Sequence, residues 1–211
     1  MSRDNMLHRV RTALGRSVDQ PPAPAPAARI VVPEVDMEAR IAQLCAAVEG
    51  LAGKTHRAAT PAAAREYVAA AAHGRTAVMS NAPLLRECGI DGLDGVCSGV
   101  TDRAQLRELC ATAGIGITSA DYALADTGTL VLFSSPEEAR MISLLPPAHI
   151  AVVPRDRILT GLDELFARVP LPADLSSSMV LITGPSRTAD IEQILVRGVH
   201  GPGEIHVVVV G

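Results

Sequence analysis

The sequence predicts an α/β fold in which a mostly parallel sheet is covered by helices on both faces. Segments with strand character alternate with segments whose apolar residues recur at helical spacing, which is the pattern of parallel α/β sheets. The strand segments are uniformly apolar, as strands buried on both faces are. Among the 211 residues, 48% are hydrophobic but only 2% are aromatic, so the core must be built from Ala, Val, Leu and Ile. A chain of this length can bury one full core.

The first part of the chain is predicted to be an appendage of the main domain. Asp4 or Asn5 can cap a helix that reaches about Arg16, and a run of prolines interleaved with alanines follows. Such a run forms a semi-rigid, extended linker. We therefore divide the chain into an N-terminal helix (residues 1–19), a Pro/Ala-rich linker (residues 20–33) and one α/β domain (residues 34–211).

Helices of the α/β domain are predicted from apolar spacing and from capping residues. Apolar side chains from Ile41 to Val48 recur at helical intervals, and Thr60 followed by Pro61 is a typical helix start. The predicted helices span Met37–Leu51, Thr60–Ala72, Leu84–Cys88, Asp102–Thr112, a short helix starting in Pro136–Arg140, Leu162–Ala167 and Asp190–Gly198.

Strands are predicted from the short apolar runs between these helices, several of which are rich in β-branched residues. A polar loop is expected from Asp121 to Thr127. The predicted strands are Arg75–Ser80, Thr129–Phe133, His149–Val153, Met179–Ile182 and Ile205–Val210.

Charge and composition argue against several classes of function. The formal net charge is -4, and the chain has no Trp. Nucleic-acid-binding modules use a basic field and aromatic stacking platforms, so we expect no nucleic-acid partner. The sequence has no run of roughly 18 apolar residues, which predicts no membrane span. The start of the chain has no apolar segment of the secretory type, which favours a cytoplasmic location.

The cysteines predict no metal or iron–sulfur site in this chain. Cys45, Cys88, Cys97 and Cys110 show no Cys-x-x-Cys spacing, whereas zinc and iron–sulfur sites use closely spaced ligands. We expect reduced thiols that pack as small hydrophobic side chains.

The densest polar loop follows the predicted strand Met179–Ile182. The hydroxyls of Thr183, Ser186 and Thr188, with main-chain N–H groups and the charge of Arg187, could hold a carboxylate or a phosphate. A strand end that leads into a helix N-terminus favours anions. The same residues could instead form only a tight turn.

Three further residues each allow a structural and a functional interpretation. Asp190 can cap the predicted helix that follows it, or it can face a ligand. Asp126 lies in a loop before a strand, where Gly128 permits close approach of the backbone and the carboxylate could face a ligand. His200 lies on a glycine-rich turn, where it could act as a general acid or base or hydrogen-bond a neighbouring carbonyl.

Four separated segments together resemble the LUD-domain family, and within it the lactate-utilisation protein C (LutC, YkgG-like) branch. They are Gly116–Leu132, Arg140–Ile150, Ile182–Glu192 and Val199–Pro202, and they occur in the family's order. The resemblance covers roughly residues 75–211. Relatives usually carry glutamate where this chain has Asp126, so the charge is kept while the reach of the side chain is shorter.

The candidate site residues come from these loops. Asp126 is the candidate base and His200 the candidate acid. The candidate ligand-binding residues are Thr127, Gly128, Thr129, Arg140, Thr183, Gly184, Pro185, Ser186, Arg187, Thr188 and Asp190.

The resemblance implies a fold similar to that of the sugar-phosphate isomerases and CoA transferases (NagB/RpiA/CoA-transferase-like). It also implies a role in the bacterial oxidation of L-lactate to pyruvate, with iron–sulfur proteins as partners that carry the clusters this chain lacks. Two alternatives stay open. The chain could be a free-standing enzyme acting on a phosphorylated or CoA-linked substrate, or a non-catalytic binding or regulatory module.

Overall fold

The computed structural model describes residues 2–17, residue 20, residues 31–189 and residues 195–211. Capping side chains mark the helix starts: Ser2, Asp36, Thr60 and Asp102 each accept a hydrogen bond from the first turn of the helix that follows. The helices are α1 (Arg3–Ala13), α2 (Met37–Gly50), α3 (Pro61–Ala72), α4 (Pro83–Glu87), α5 (Arg103–Thr112), α6 (Arg140–Leu144), α7 (Leu162–Arg168) and α8 (Pro172–Leu175), with short 3-10 turns at Ile90–Gly92 and Arg155–Arg157.

The strands fall into two sheets and one separate pair. They are β1 (Lys54–Ala58), β2 (Ala77–Met79), β3 (Val96–Cys97), β4 (Ile115–Ser119), β5 (Tyr122–Leu124), β6 (Thr129–Phe133), β7 (Ala148–Pro154), β8 (Ile158–Leu159), β9 (Met179–Thr183), β10 (Arg187–Ala189), β11 (Leu195–Arg197) and β12 (Glu204–Val210).

Among the described residues, the main sheet has six strands in the order β1-β12-β7-β4-β2-β3, and every neighbouring pair is parallel. A second sheet has the order β8-β5-β6-β9 and contains antiparallel pairs. β10 and β11 pair antiparallel with each other. The predicted α/β class with a mostly parallel sheet is therefore confirmed.

Helices cover both faces of the main sheet. α3 and α4 pack on one face, against residues such as Ile117 and Ile150. α5 and α6 pack on the opposite face around Val78. α2 and the second sheet also pack on that face, around Val207 and Val209. The core is aliphatic, as the composition predicts.

The chain reverses its direction across the main sheet at the edge strand β3, since it runs from β2 outward to β3 and then back past β2 to β4. β3 lies on one side of β2 and β4 on the other, and the two connecting helices, α4 and α5, lie on opposite faces. The gap beyond the carboxyl ends of β2 and β4 is therefore the topological switch point of the sheet, where ligands bind in open α/β folds.

Several local predictions are confirmed within one or two residues, namely α2, α3, α5, β6 and β12. Their signals are local, since apolar spacing and capping residues act within a few positions. Ser2, and not Asp4 or Asn5, caps α1, with Ser2 Oγ accepting from Asn5 N at 3.3 Å. The expected polar loop from Asp121 contains a short strand, β5.

Two predicted helices are wrong. α6 begins at Arg140 rather than at Pro136, because residues 135–138 form a turn. The helix expected from Asp190 to Gly198 is replaced at residues 195–197 by β11, which pairs with β10. β-branched residues such as Val196 favour extended pairing when a partner strand is available. Asp190 and residues 191–194 lie outside the described residues.

β9 differs from its prediction in its surroundings. The sequence suggested a buried strand of the parallel sheet, but β9 pairs antiparallel with β6 in the second sheet, and Leu181 is 44% exposed. Thr183 therefore does not end a parallel strand. The fold removes the reason for expecting an anion site in front of a helix at that position.

Candidate functional site

A cleft of about 510 Å³ opens at the switch point. It lies beyond the carboxyl ends of β2 and β4 and is bounded by the start of α4, by the segment after β6 and by Leu175 of α8. Its polar lining residues are Asn81, Arg86, Ser119, Asp121, Ser134, Ser135, Glu137 and Glu138. We call this the carboxyl-edge cleft.

Glu138 is the most deeply buried charged residue of the cleft, with 7% of its surface exposed. Its Oε2 accepts a hydrogen bond from Ser80 Oγ at 2.7 Å and from Ser119 N at 3.2 Å. These donors lie at the ends of β2 and β4, so the carboxyl group bridges the two strands. Its Oε1 is shielded from solvent and has no hydrogen-bond partner among the described residues.

A turn formed by Ser135 directs Glu138 inward. Ser135 Oγ accepts from Glu137 N at 3.1 Å and from Glu138 N at 3.0 Å, the pattern by which serine side chains replace backbone partners in turns. Asn81 N donates to Glu137 O at 2.8 Å, which ties the turn to the end of β2. The turn therefore carries the carboxyl group to the strand ends.

Asn81 also holds the opposite wall of the cleft. Its Oδ1 accepts from Gly99 N at 2.9 Å and its Nδ2 donates to Val100 O at 3.0 Å. Both side-chain groups are thus committed to the loop after β3. Asn81 is therefore a positioning residue for the cleft.

Burial raises the pKa of Glu138 to about 8, because desolvation outweighs the hydrogen bonds from Ser80 and Ser119. The nearby charge of Asp121 raises it further. At neutral pH the group is therefore mostly protonated, and a protonated carboxyl group is a hydrogen-bond donor.

Asp121 is another carboxyl group of the cleft and lies two positions after the end of β4. Its Oδ2 accepts from Phe133 N at 2.7 Å. Burial raises its pKa from the ordinary value, while that backbone hydrogen bond and the charge of Arg157 lower it. Because the negative charge of Asp121 helps to raise the pKa of Glu138, Glu138 is the group of this pair that keeps its proton and Asp121 is the acceptor. The cleft can therefore donate a hydrogen bond through Glu138 and accept one at Asp121.

The sequence-predicted loops also meet, but elsewhere. Thr127 Oγ1 donates to Asp126 Oδ1 at 3.1 Å and lies 2.8 Å from Thr129 Oγ1, which lies 2.7 Å from Thr183 Oγ1. We call these four residues the hydroxyl chain. Each of these four residues has a hydrogen-bond partner among the other three.

The hydroxyl chain lies along α2 and extends toward the end of the sheet where the parallel strands begin. Gly128 has a φ of +69°, and a Cβ there would lie 2.9 Å from Val48 N near the end of α2. A Cβ on Gly184 would lie 3.0 Å from Leu51 Cβ. Arg187 donates to Leu51 O, at the end of α2. The close backbone approach expected at Gly128 is thus made to a helix of this chain.

His200 lies on a turn before β12, and its side chain is exposed. This turn meets the Thr183–Arg187 loop through Ser186 N, which donates to Pro202 O at 2.8 Å. Gly203 N donates to Pro147 O, just before β7 begins. His200 is therefore at the amino end of the parallel strands, and no hydrogen bond within the described part of the chain joins it to Asp126.

Among the other predicted site residues, Pro185 is buried and Arg140 donates from Nη1 to Ser178 Oγ at 3.2 Å. Ser178 O accepts from Ser134 N at 2.9 Å, which places Arg140 behind the carboxyl-edge cleft. Thr188 lies in β10, and its side chain is not described. The predicted ligand residue Asp190 lies outside the described residues.

Four residues of the cleft were missed as site residues from the sequence, namely Ser80, Ser119, Asp121 and Glu138. A weak signal existed, because Ser80 ends a predicted strand and Asp121 opens a predicted loop. Glu138 gave no such signal, since an acidic residue after proline also suits the first turn of a helix. Its burial follows from tertiary contacts alone.

Within the described ranges, no group of three or more His, Cys, Asp or Glu side chains is placed to hold a metal ion. All four cysteines are free, and burial raises the pKa of Cys110 to about 11. Each helix of the described residues is too short or too polar to span a bilayer.

The chain is similar in sequence to bacterial proteins named lactate utilization protein C. The chain is 42% identical over 106 residues to lactate utilization protein C of Halalkalibacterium halodurans, covering 48% of this chain and 46% of that protein. It is 44% identical over 94 residues to lactate utilization protein C of Bacillus subtilis, covering 43% and 39%. The matches thus span less than half the length of these curated relatives.

A solved structure has the same fold. It is the crystal structure of a DUF162 family protein from Deinococcus radiodurans, with a TM-score of 0.65 and 19% identity, covering 84% of this chain and all of that one. The family model of the LUD domain matches residues 41–210, which is most of the predicted α/β domain. The chain therefore belongs to the LUD domain family.

Proposed function

We propose that this chain is a component of a bacterial lactate-utilisation system, in which L-lactate is oxidised to pyruvate together with iron–sulfur partner proteins. The observation that carries the proposal is membership of the LUD domain family together with about 40% identity to relatives named lactate utilization protein C. The chain's own contribution is the carboxyl-edge cleft, which receives the small organic acid.

The cleft supports this role better than the predicted loops do. Asp121, Glu137 and Glu138 line one space at the switch point, and Glu138 has an oxygen without a partner in the described residues. Buried polar atoms without partners are uncommon in folded proteins and call for an explanation. A ligand in the cleft supplies one.

The proposal places the electron carriers in the partner proteins. Oxidation of lactate to pyruvate releases two electrons, and iron–sulfur clusters are held by closely spaced cysteine ligands. The four cysteines of this chain are widely separated in sequence. The system would then assemble in the cytoplasm from this chain and cluster-bearing subunits.

A deletion and co-purification experiment tests the proposal. In a strain with no other lactate oxidase, we expect deletion of this chain to abolish growth on L-lactate, and the restored chain to co-purify with two iron–sulfur proteins. Growth on glucose is the control for general fitness. Unchanged growth of the deletion strain on L-lactate would contradict the proposal.

The divided carboxyl pair favours one alternative, a free-standing enzyme that moves protons on a phosphorylated or CoA-linked substrate. Asp121 and Glu138 would then serve as base and acid without any partner. Turnover of such a substrate by the purified chain alone, lost in Asp121→Asn, would favour this alternative. A non-catalytic module would bind partners or ligands but show no turnover in either assay.

A further inference from the structure

We propose that the carboxyl-edge cleft recognises a small 2-hydroxycarboxylate, with Glu138 donating a hydrogen bond to the ligand's carboxylate and Asp121 accepting one from its hydroxyl. The inference rests on the proposed function for the class of ligand. The two residues and their roles come from the geometry of the cleft.

The donor is assigned to Glu138 because only one of its oxygens is occupied. Oε2 accepts from Ser80 Oγ and Ser119 N, so the proton of the neutral carboxyl group belongs on Oε1. Oε1 has no partner in the described residues, and neither does Ser134 Oγ, which also belongs to a lining residue of the cleft. Oε1 is shielded from solvent, so a ligand oxygen in the cleft would reach this donor once the Glu138 side chain turns Oε1 toward it.

The acceptor is assigned to Asp121 because its carboxylate is anchored and still has free capacity. Phe133 N holds Oδ2 at 2.7 Å, which sets the orientation of the group. An ionised carboxylate has about four acceptor positions, so a ligand hydroxyl can be added to this contact. Asp121 and Glu138 therefore offer opposite hydrogen-bonding roles, as a molecule with adjacent hydroxyl and carboxylate groups requires.

The charges around the cleft make this recognition depend on pH. Glu138 faces Ser80 after β2, Ser119 of β4 and the charge of Asp121, and the cleft also contains Glu137 from its own turn and Arg86 from α4. Among the lining residues, Arg86 is positively charged, whereas Asp121 and Glu137 are acidic. Ionisation of Glu138 would remove the donor and add a further negative charge. An anionic ligand should therefore be released as pH rises through the pKa of Glu138, about 8.

Binding of L-lactate to the purified full chain, measured by NMR titration at about pH 6.5 and about pH 9.5, tests the donor. We expect the dissociation constant to rise at least about tenfold at the higher pH, since only the protonated form binds. In Glu138→Gln, whose amide donates at every pH, we expect binding at both pH values and a loss of this dependence. The matched control Glu108→Gln, on the exposed surface of α5, should behave as the parent chain does.

Propionate, which lacks the hydroxyl group, tests the acceptor. The parent chain should prefer L-lactate to propionate by about tenfold, the value of one hydrogen bond to a charged group. Asp121→Asn should reduce this preference, whereas the exposed control Asp91→Asn should keep it. Circular dichroism and thermal unfolding of each variant show that it is folded, and the parent-chain data test the proposal even if a variant is not.

Several outcomes overturn the inference. They are no L-lactate binding by the parent chain, equal binding at the two pH values, an unchanged pH dependence in folded Glu138→Gln, or equal affinity for lactate and propionate in the parent chain. The growth experiment is separate. If the chain restores growth of the deletion strain on L-lactate but binds no lactate, only this inference is contradicted. If the chain binds lactate but its deletion leaves growth on L-lactate unchanged, the proposed function is contradicted.

Discussion

The carboxyl-edge cleft and the hydroxyl chain are both polar clusters built from strand ends, but their hydrogen bonding differs. In the hydroxyl chain, Asp126, Thr127, Thr129 and Thr183 bond one another. In the cleft, Glu138 keeps one buried oxygen without a partner in the described residues. The hydroxyl chain belongs to a turn that packs against α2, whereas in the cleft the Oε1 of Glu138 has no partner in the described part of the chain.

This difference separates structural polar groups from candidate ligand groups. In the hydroxyl chain only Thr129 is buried, and its hydroxyl already has partners, so this cluster leaves no buried polar group unsatisfied. An unsatisfied buried carboxyl group costs free energy unless something else binds it. The number of polar residues close together in the sequence favours the hydroxyl chain as a ligand site. The free-energy cost of the unsatisfied carboxyl group of Glu138 favours the cleft.

The largest expected effect is on the rate of L-lactate oxidation by the assembled system, when one residue of each cluster is substituted. We expect Asp121→Asn to lower the rate by about 10²–10⁴, the usual loss when an acid–base group is removed, because oxidation of L-lactate must remove the proton of the hydroxyl that Asp121 accepts. Thr183→Val should leave the rate within about threefold, as substitutions outside a site usually do. Steady-state oxidation of L-lactate measures both. A larger loss for Thr183→Val than for Asp121→Asn would return the site to the predicted loops.

A smaller effect concerns the pH dependence of stability. Since the pKa of Glu138 is raised to about 8 from 4.5, the folded state binds a proton that the unfolded state releases between these values. Its favourable contribution is complete below about pH 4.5 and is lost as pH rises to 8. Glu138→Gln should remove this fall, a difference on the order of a few kcal/mol.

Urea unfolding from pH 4.5 to 8 measures the difference between the parent chain and the variant. Glu137→Gln is the matched control, since that neighbouring side chain is exposed and should leave the profile unchanged. Parallel profiles for the parent chain and Glu138→Gln would show that Glu138 is ionised in the folded protein, which contradicts the donor role.

The smallest effect concerns the anchor of the hydroxyl chain. Gly128→Ala places a Cβ 2.9 Å from Val48 N at a φ of +69°, so we expect the free energy of unfolding to fall by about 1–3 kcal/mol. Lactate binding should be unchanged. Gly50→Ala, where a Cβ meets nothing within 4 Å, is the control and should not destabilise the chain. Unaltered stability of Gly128→Ala in urea would mean that this loop is not packed on α2 as described.

The candidate site was harder to predict than the fold for a physical reason that Glu138 illustrates. Ser80 and Glu138 are 58 positions apart, and their contact depends on how β2, β4 and the turn after β6 are arranged. Thr129 and Thr183 were both candidate ligand-binding residues, but their contact with each other follows from the pairing of β6 with β9. The sheet they share is the second one, which no local pattern indicated.

The sequence by itself determined the α/β class, the aliphatic core and the positions of helices such as α2, α3 and α5. These features depend on interactions within a few residues, namely apolar periodicity and capping by Asp36, Thr60 and Asp102. Only the tertiary structure decided that β9 joins the antiparallel sheet and that Glu138 lies buried at the switch point. Strand pairing and desolvation depend on segments distant in the chain, so a local pattern cannot specify them.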